Sequence, residues 1–364
     1  MKNILMVMQS NKRFIKKYFK IILLIFICTL IFIETSNITF NIFIYSIAII
    51  PLAVLLGEFT STLSLYLGEK KGGLLAATLG NIPELIMGVW SIRYGMIAMA
   101  KAALIGSIIN NMLLVLGISI FLGGVKYSEQ SFNKNIARTN FNMLLLAMAS
   151  MIIMRCIERY GDLENNTLIS ISMKVSLVLV GVYIMGLIFS LYTHRNLFVI
   201  SEEGSDSNNK DTKQVVKLFI WLIGITVILY FFSEKLIFNI KSYVEYRNVS
   251  QSFIGIMLVP LLGNIGENIS AILCALKNKV NLSLEIAIGS SIQISLFASP
   301  LIIIVALFMK ANMTFIFSTL QIVVSALAVG MSFIVFADGK TYWLEGVILI
   351  AVYIIITICY FYVS

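Results

Sequence analysis

Two short stretches, Gly80-Asn81-Ile82-Pro83-Glu84 and Gly263-Asn264-Ile265-Gly266-Glu267, each set one carboxylate inside an apolar segment. A charge in such surroundings is costly, so each marks a functional site. Continued without a gap, the two copies align Ile86 with Ile269, Ile105 with Ile288, Gly106 with Gly289, Ser107 with Ser290, Asn110 with Gln293 and Leu113 with Leu296. Carboxylates flanked by Asn, Ser and Gln oxygens suit a hard cation. Calcium takes about 6–8 oxygen ligands drawn from carboxylates, carbonyls and water. Zinc-type chemistry is disfavoured, because Cys28, Cys156, Cys274 and Cys359 lie in different segments and the one histidine, His194, stands alone. Two carboxylates held away from water resist carrying two charges, so an empty site takes up protons and a divalent cation expels them. One site that holds either ion and faces either side is the minimal machinery of an antiporter.

The elements that position these residues follow from composition. With 59% hydrophobic and 12% charged residues and a mean hydropathy of +0.95, the chain is no soluble globular domain. Its apolar runs approach the roughly 20 residues that cross a bilayer as helix, and barrel-type alternation is absent. Breaks between runs predict eleven helices, at 18–35, 43–68, 73–94, 98–123, 139–156, 168–193, 215–240, 250–277, 281–309, 312–336 and 342–362. The run Ile21 to Ile33 follows Lys12, Arg13, Lys16, Lys17 and Lys20 but precedes no small-residue cleavage site, and reads as a retained first helix.

With the Lys-rich amino terminus in the cytoplasm, most Lys and Arg fall on cytoplasmic breaks, as the positive-inside rule expects. The net charge of +9 is then a matter of topology and calls for no nucleic-acid partner. The polar stretch Ser201 to Lys213 is a solvated acidic linker. The expected fold is an all-α membrane protein with two five-helix repeats and a peripheral N-terminal helix. Residues 1–37 form the cytoplasmic tail and first helix, 38–195 the first repeat, 196–214 the acidic cytoplasmic loop and 215–364 the second repeat. An odd helix count per repeat makes the repeats inverted about a pseudo-two-fold axis, with their motifs meeting near the midplane. Pro83, Pro260 and Pro300 lie in or beside the motifs and predict interrupted helices whose freed carbonyls are candidate cation ligands.

These residues resemble the cation/proton exchangers (CAX) of the calcium:cation antiporter superfamily. The first signature is similar to Gly80 through Ile86 followed by Gly106-Ser107-Ile108-Ile109-Asn110-Asn111 and on to Gly117; the second is similar to Pro260 through Glu267, Lys277-Asn278-Lys279 and Gly289-Ser290-Ser291-Ile292-Gln293. Gln130-Ser131-Phe132-Asn133, Ser233-Glu234-Lys235 and Asp338 through Gly346 also look like family segments. The resemblance implies a Ca2+/H+ antiporter that transports both ions and carries no cofactor. It implies exchange at Glu84 and Glu267, with Asn81, Ser107, Asn110, Asn264, Ser291 and Gln293 lining the cation path. It also implies two helices that gate the site, a lipid bilayer around the chain, and a homo-oligomer, trimer or dimer. Three positions depart from the family pattern: Asn268 stands where a histidine commonly follows the glutamate, Ser61 and Thr62 where an acidic residue is usual, and Ala76 where asparagine is frequent.

Two other classes compete. An exchanger of the same fold coupled to Na+, or carrying Mn2+, is consistent with Asn268. An intramembrane enzyme or a passive channel is opposed by the lack of a nucleophile–base or His-pair pattern and by the paired central carboxylates. The short, Ile-, Lys- and Asn-rich chain points to a bacterial cell membrane, or to a vacuolar membrane in a eukaryote.

Overall fold

The computed structural model describes residues 22, 24–67, 72, 75, 78–193 and 212–363. The amino-terminal tail, Lys70 and Lys71, Ala76, His194 and the acidic loop up to residue 211 lie outside the described residues. After a helical stretch at 24–30 come α1 (Ile38–Leu67), α2 (Ile82–Arg93), α3 (Ile97–Lys126), β1 (Gln130–Ser131), α4 (Lys134–Tyr160) and α5 (Asn165–Thr193). The second half contains α6 (Thr212–Arg247), α7 (Gln251–Gly263), α8 (Ile265–Leu276), α9 (Val280–Phe308), α10 (Thr319–Val335), β2 (Lys340–Thr341) and α11 (Trp343–Val363). The long apolar helices α1, α3, α4, α5, α6, α9 and α11 each suffice to cross a membrane, and α7 with α8 forms a further span bent by 63°.

Three expected helices are shorter or broken for identifiable reasons. The span expected at 312–336 begins at Thr319, because Ser318 and Gln321 form a reciprocal capping box that fixes the helix start. Residues 311–318 instead run as an irregular segment that buries Met313, Phe315 and Phe317. The spans expected at 73–94 and 250–277 break at residues 80–81 and at Asn264, not at the prolines. Pro83 lies in the first turn of α2, where its missing N–H costs nothing. Pro260 stays inside α7 and frees the carbonyl of Ile256. That carbonyl packs against Gly106 of α3, so it serves helix packing and not a cation.

The backbone repeats as the sequence does. Asn81 and Asn264 share one conformation (φ −94°, ψ 17° and φ −90°, ψ 7°), and each carbonyl accepts from the N–H four residues on, Leu85 and Asn268. The turn after α2 has Gly95 at φ 75° and the turn after α8 has Asn278 at φ 59°, both in the left-handed region that glycine and asparagine adopt most cheaply. Both central spans also widen into a π-helical segment at equivalent places, Asn110–Val115 in α3 and Ile294–Ala298 in α9.

The repeats are inverted. Helix α3 starts directly after the turn at 94–96 and ends at Lys126, whose ammonium donates to Leu276 O beside the turn at 277–279. Thirty residues of helix, about 45 Å at 1.5 Å per residue, separate the two equivalent turns. A two-stranded ribbon closes the Lys277/Lys279 end, where β1 pairs antiparallel with β2. Helices α3 and α9 are the most buried spans, whereas α5, α6 and α11 turn residues such as Val178, Ile220 and Ile355 outward as a membrane-facing surface. The protein is an all-α multi-pass membrane protein.

Candidate cation site

The half-helices α2 and α8 enter the middle of the bundle from opposite sides, and each carries its carboxylate in the first turn, Glu84 on α2 and Glu267 on α8. A helix N-terminus has unpaired N–H groups and a positive dipole end, so it is a favourable place for an acidic ligand. The geometry follows from the two breaks. Each Gly-Asn pair ends the preceding segment, and the residue after the asparagine restarts the helix, so the glutamate falls at the third helical position in both copies.

The surrounding polar side chains join the two repeats. Asn81 Nδ2 donates to Gln293 Oε1 at 2.8 Å, and Asn264 Nδ2 donates to Ser107 Oγ at 3.1 Å. Asn111 Nδ2 donates to Ser290 Oγ at 3.0 Å, and Ser290 lies beside Glu267. Glu84 lies against Gly263, and its carboxylate interacts electrostatically with that of Glu267. The π segment in α3 presents the successive residues Asn110 and Asn111 inside the bundle, Asn110 fully buried. A π turn leaves backbone carbonyls without their usual partners. Ser332 of α10 meets this need at Met112 O, donating at 2.6 Å.

Among the buried oxygens with no hydrogen-bond partner among the described residues, six belong to the sequence-derived site residues: Asn81 Oδ1, both oxygens of Glu84, Asn110 Oδ1, Asn264 Oδ1 and Glu267 Oε2. These hard oxygens are of the type that a cation can take as ligands. No cluster of three or more His, Cys, Asp or Glu exists among the described residues, and the remaining oxygens named here are those of the amides Asn81, Asn110 and Asn264.

Of the sequence-derived site residues, Glu84, Glu267, Asn81, Asn264, Ser107 and Gln293 are brought together by these contacts, and Asn110 adjoins them through its 3.4 Å bond to Asn111. Ser291 turns its hydroxyl to Ala287 O in its own helix at 3.0 Å. Its neighbour Ser290, equivalent to Ser107, faces Glu267 instead. Sequence reasoning also passed over Asn111 and Tyr183. The repeat alignment held the signal for Ser290. Tyr183 stacks on Phe297 at 5.3 Å and is near enough to feel the charge of Glu267, but a lone tyrosine in an apolar helix has no spacing that would mark it.

One side of the site is shut. Gly106 of α3 packs on Ile256 O and the ring of Pro260, and Gly255 of α7 packs on Met99 O and Ala102, which brings α3 and α7 into backbone contact. At Gly289, the equivalent of Gly106, an added Cβ would meet no atom within 4 Å among the described residues.

Inverted halves that each bring a half-helix N-terminus, a carboxylate and amide oxygens to one centre have the build of a secondary cation transporter. The chain belongs to the sodium/calcium exchanger protein family, which matches residues 21–192 and 217–362. It is 36% identical over 330 residues to a Ca2+/H+ antiporter of Aphanothece halophytica, covering 87% of this chain and 88% of that one. It is 34% identical over 319 residues to the Ca2+/H+ antiporter ChaA of Bacillus subtilis, covering 87% and 91%. The fold matches the structure of native YfkE with a TM-score of 0.75 and 31% identity over 88% of this chain and 92% of that one.

Proposed function

We propose that this protein is a secondary active antiporter that exchanges Ca2+ for H+ by alternating access at Glu84 and Glu267. The observation that carries the reading is the set of six unpartnered buried oxygens at the meeting point of α2, α3, α8 and α9. Their number and hardness suit calcium. When the cation leaves, the mutually repelling carboxylates of Glu84 and Glu267 take up protons, and the next cation displaces them. The same atoms thus bind both ions in turn, and exchange follows from competition.

Access alternates by exchange of the closed contact between the repeats: α7 now covers Gly106, and the inverted equivalent would cover Gly289. Helices α1 and α6, which pack along one another, are the gating pair. Residues 38–195 and 215–364 act as the two inverted units, with 1–37 peripheral and 196–214 a cytoplasmic loop. The face bearing Lys126, Lys277, Lys279 and Lys340 is assigned to the cytoplasm on the positive-inside rule. The membrane is assigned as a bacterial cell membrane, and the assembly as a homo-oligomer.

A second reading, coupling to Na+ or carriage of Mn2+, is favoured by one observation: Asn268, beside Glu267, has a buried Oδ1 with no partner among the described residues, a further neutral oxygen for a cation.

Purified protein in liposomes with an imposed pH gradient tests the proposal. Radiolabelled calcium uptake that follows the gradient and is lost in both Glu84→Gln and Glu267→Gln supports it. Full uptake in both variants sinks it, and uptake that tracks a sodium gradient and ignores pH moves the balance to the second reading.

A further inference from the structure

Away from the exchange centre, a cavity of about 460 Å3 lies at the end of the bundle opposite the Lys277/Lys279 face. The starts of α3, α5, α7 and α10, the last turns of α4 and the irregular segment 311–318 frame it, and its polar lining includes Lys101, Arg155, Glu158, Asn165, Ser252 and Gln321. Every lining residue is a described one. Apart from Val363 at the end of α11, the described stretches break off at the other face, where α1 and α5 end and α6 begins.

Two cations meet in this cavity. Lys101 Nζ donates to Thr314 Oγ1 at 3.2 Å and to Ile316 O at 2.8 Å, both neutral acceptors, and so pins the irregular segment to α3. An ammonium has three N–H donors, and these bonds use two. Arg155 Nη1 donates to Glu158 Oε2 at 2.7 Å, whereas Nε of the same guanidinium is buried with no hydrogen-bond partner among the described residues. A buried donor on a charged group is costly to leave without an acceptor. Glu158 opposes an anion, but its carboxylate is already bonded to Arg155. Lys101 and Arg155 against Glu158 leave the lining with one net positive charge. Guanidinium N–H groups match phosphate oxygens in geometry, and an ammonium adds a point charge. A singly charged phosphodiester would therefore neutralise the cavity and satisfy its donors.

The level of the cavity decides how such a group arrives. It sits where membrane-crossing helices end, and beside it Leu320, Val323 and Leu327 of α10 and Ile152 and Ile153 of α4 are exposed apolar side chains. We propose that this cavity binds the phosphodiester of an anionic phospholipid, with Lys101 and Arg155 as donors and the acyl chains against α4 and α10. The inference is independent of the antiport reading.

The purified full chain in detergent, titrated with dioctanoyl phosphatidylglycerol and followed by native mass spectrometry, tests it. The unaltered protein retains the lipid saturably and in preference to dioctanoyl phosphatidylcholine, whose choline cancels the charge. Arg155→Gln weakens retention about tenfold or more, through loss of a cation and its charge-assisted hydrogen bonds. Ala98→Trp weakens it too, because the indole fills the cavity from an exposed lining position and leaves Lys101 and Arg155 in place. Lys340→Gln, on the opposite face, leaves retention unchanged. If Arg155→Gln does not fold, Ala98→Trp decides alone. Retention that neither cavity variant lowers, equal retention of the two lipids, or an equal loss in Lys340→Gln overturns the proposal. So does displacement of the lipid by millimolar inorganic phosphate, which would assign the cavity to free phosphate.

Discussion

The carboxylate of Glu84 rests on the bare Cα of Gly263, so the ligand from one repeat is seated on the motif of the other: a Cβ at position 263 would lie 2.8 Å from both Glu84 Cδ and Oε1. That distance is well inside van der Waals contact, so the buried Glu84 side chain has to shift. Gly263→Ala therefore displaces the carboxylate. Exchange should fall about tenfold to hundredfold, the usual cost of misplacing a functional group by an ångström. Gly330→Ala, where an added Cβ meets nothing among the described residues, is the matched control. Equal calcium uptake by the two variants would refute the seating argument.

Much of this arrangement was legible in the sequence because the two motifs repeat without a gap. The offset that pairs Glu84 with Glu267 also pairs Gly95 with Asn278 and the π segment at Asn110–Val115 with that at Ile294–Ala298. Inversion followed from an odd helix count. The exact breaks were not legible, because prolines suggested them and the asparagines made them: a proline in a first turn is harmless, and the carbonyl freed by Pro260 is covered by Gly106. The π segments were hidden since Asn110–Val115 has no composition that distinguishes it from ordinary helix.

The contrast between Gly106 and Gly289 yields a paired prediction. At Gly106 a methyl group collides with backbone of α7, an overpacking that costs about 1–3 kcal/mol. Gly106→Ala should lower thermal stability in detergent. At Gly289 the methyl meets nothing within 4 Å among the described residues, and replacing helical glycine with alanine favours the helix by about 0.5–1 kcal/mol. Gly289→Ala should therefore be as stable as the unaltered protein or more so. If the closed contact passes between the repeats during the cycle, both variants slow calcium exchange. A Gly289→Ala protein that transports at full rate would argue against closure by equivalent surfaces.

Asn268 supplies a pH test. Its buried amide follows Glu267 and cannot change charge, so exchange should show no protonation step attributable to that position. A histidine in its place titrates near pH 6.5 when unperturbed. Asn268→His is expected to add a step near neutrality to the plot of exchange rate against pH, while Asn268→Gln leaves the shape of the plot unaltered. Identical profiles for the two variants would remove position 268 from the proton pathway.

The ribbon at the Lys277/Lys279 face gives a last prediction, in which a buried amide outweighs an exposed ion pair. Gln130, 1% exposed, donates from Nε2 to Ala275 O and to Asn278 Oδ1, each at 3.1 Å, and so ties β1 to the C-terminal end of α8, the half-helix that begins at Glu267. Gln130→Ala removes both bonds, after which Ala275 O keeps only the N–H of Asn278, and each lost bond is worth about 1 kcal/mol. On the outside of the same ribbon, Glu129 pairs with Lys340 at 2.9 Å and accepts from the Tyr342 hydroxyl at 3.2 Å. The hydrogen bond from Lys340 holds the Glu129 carboxyl below its usual range. A depressed carboxyl contributes stability above its unfolded pKa and loses it as the pH falls through the folded one, so the ion pair persists at neutrality and opens in acid. Being exposed, it is screened and weak. Hydrogen exchange over residues 127–133, followed by mass spectrometry, should accelerate strongly in Gln130→Ala at every pH. In Glu129→Gln it should accelerate slightly, and only above the range where Glu129 is protonated. Should Glu129→Gln loosen the segment more than Gln130→Ala, the tie to α8 is not what holds the ribbon in place.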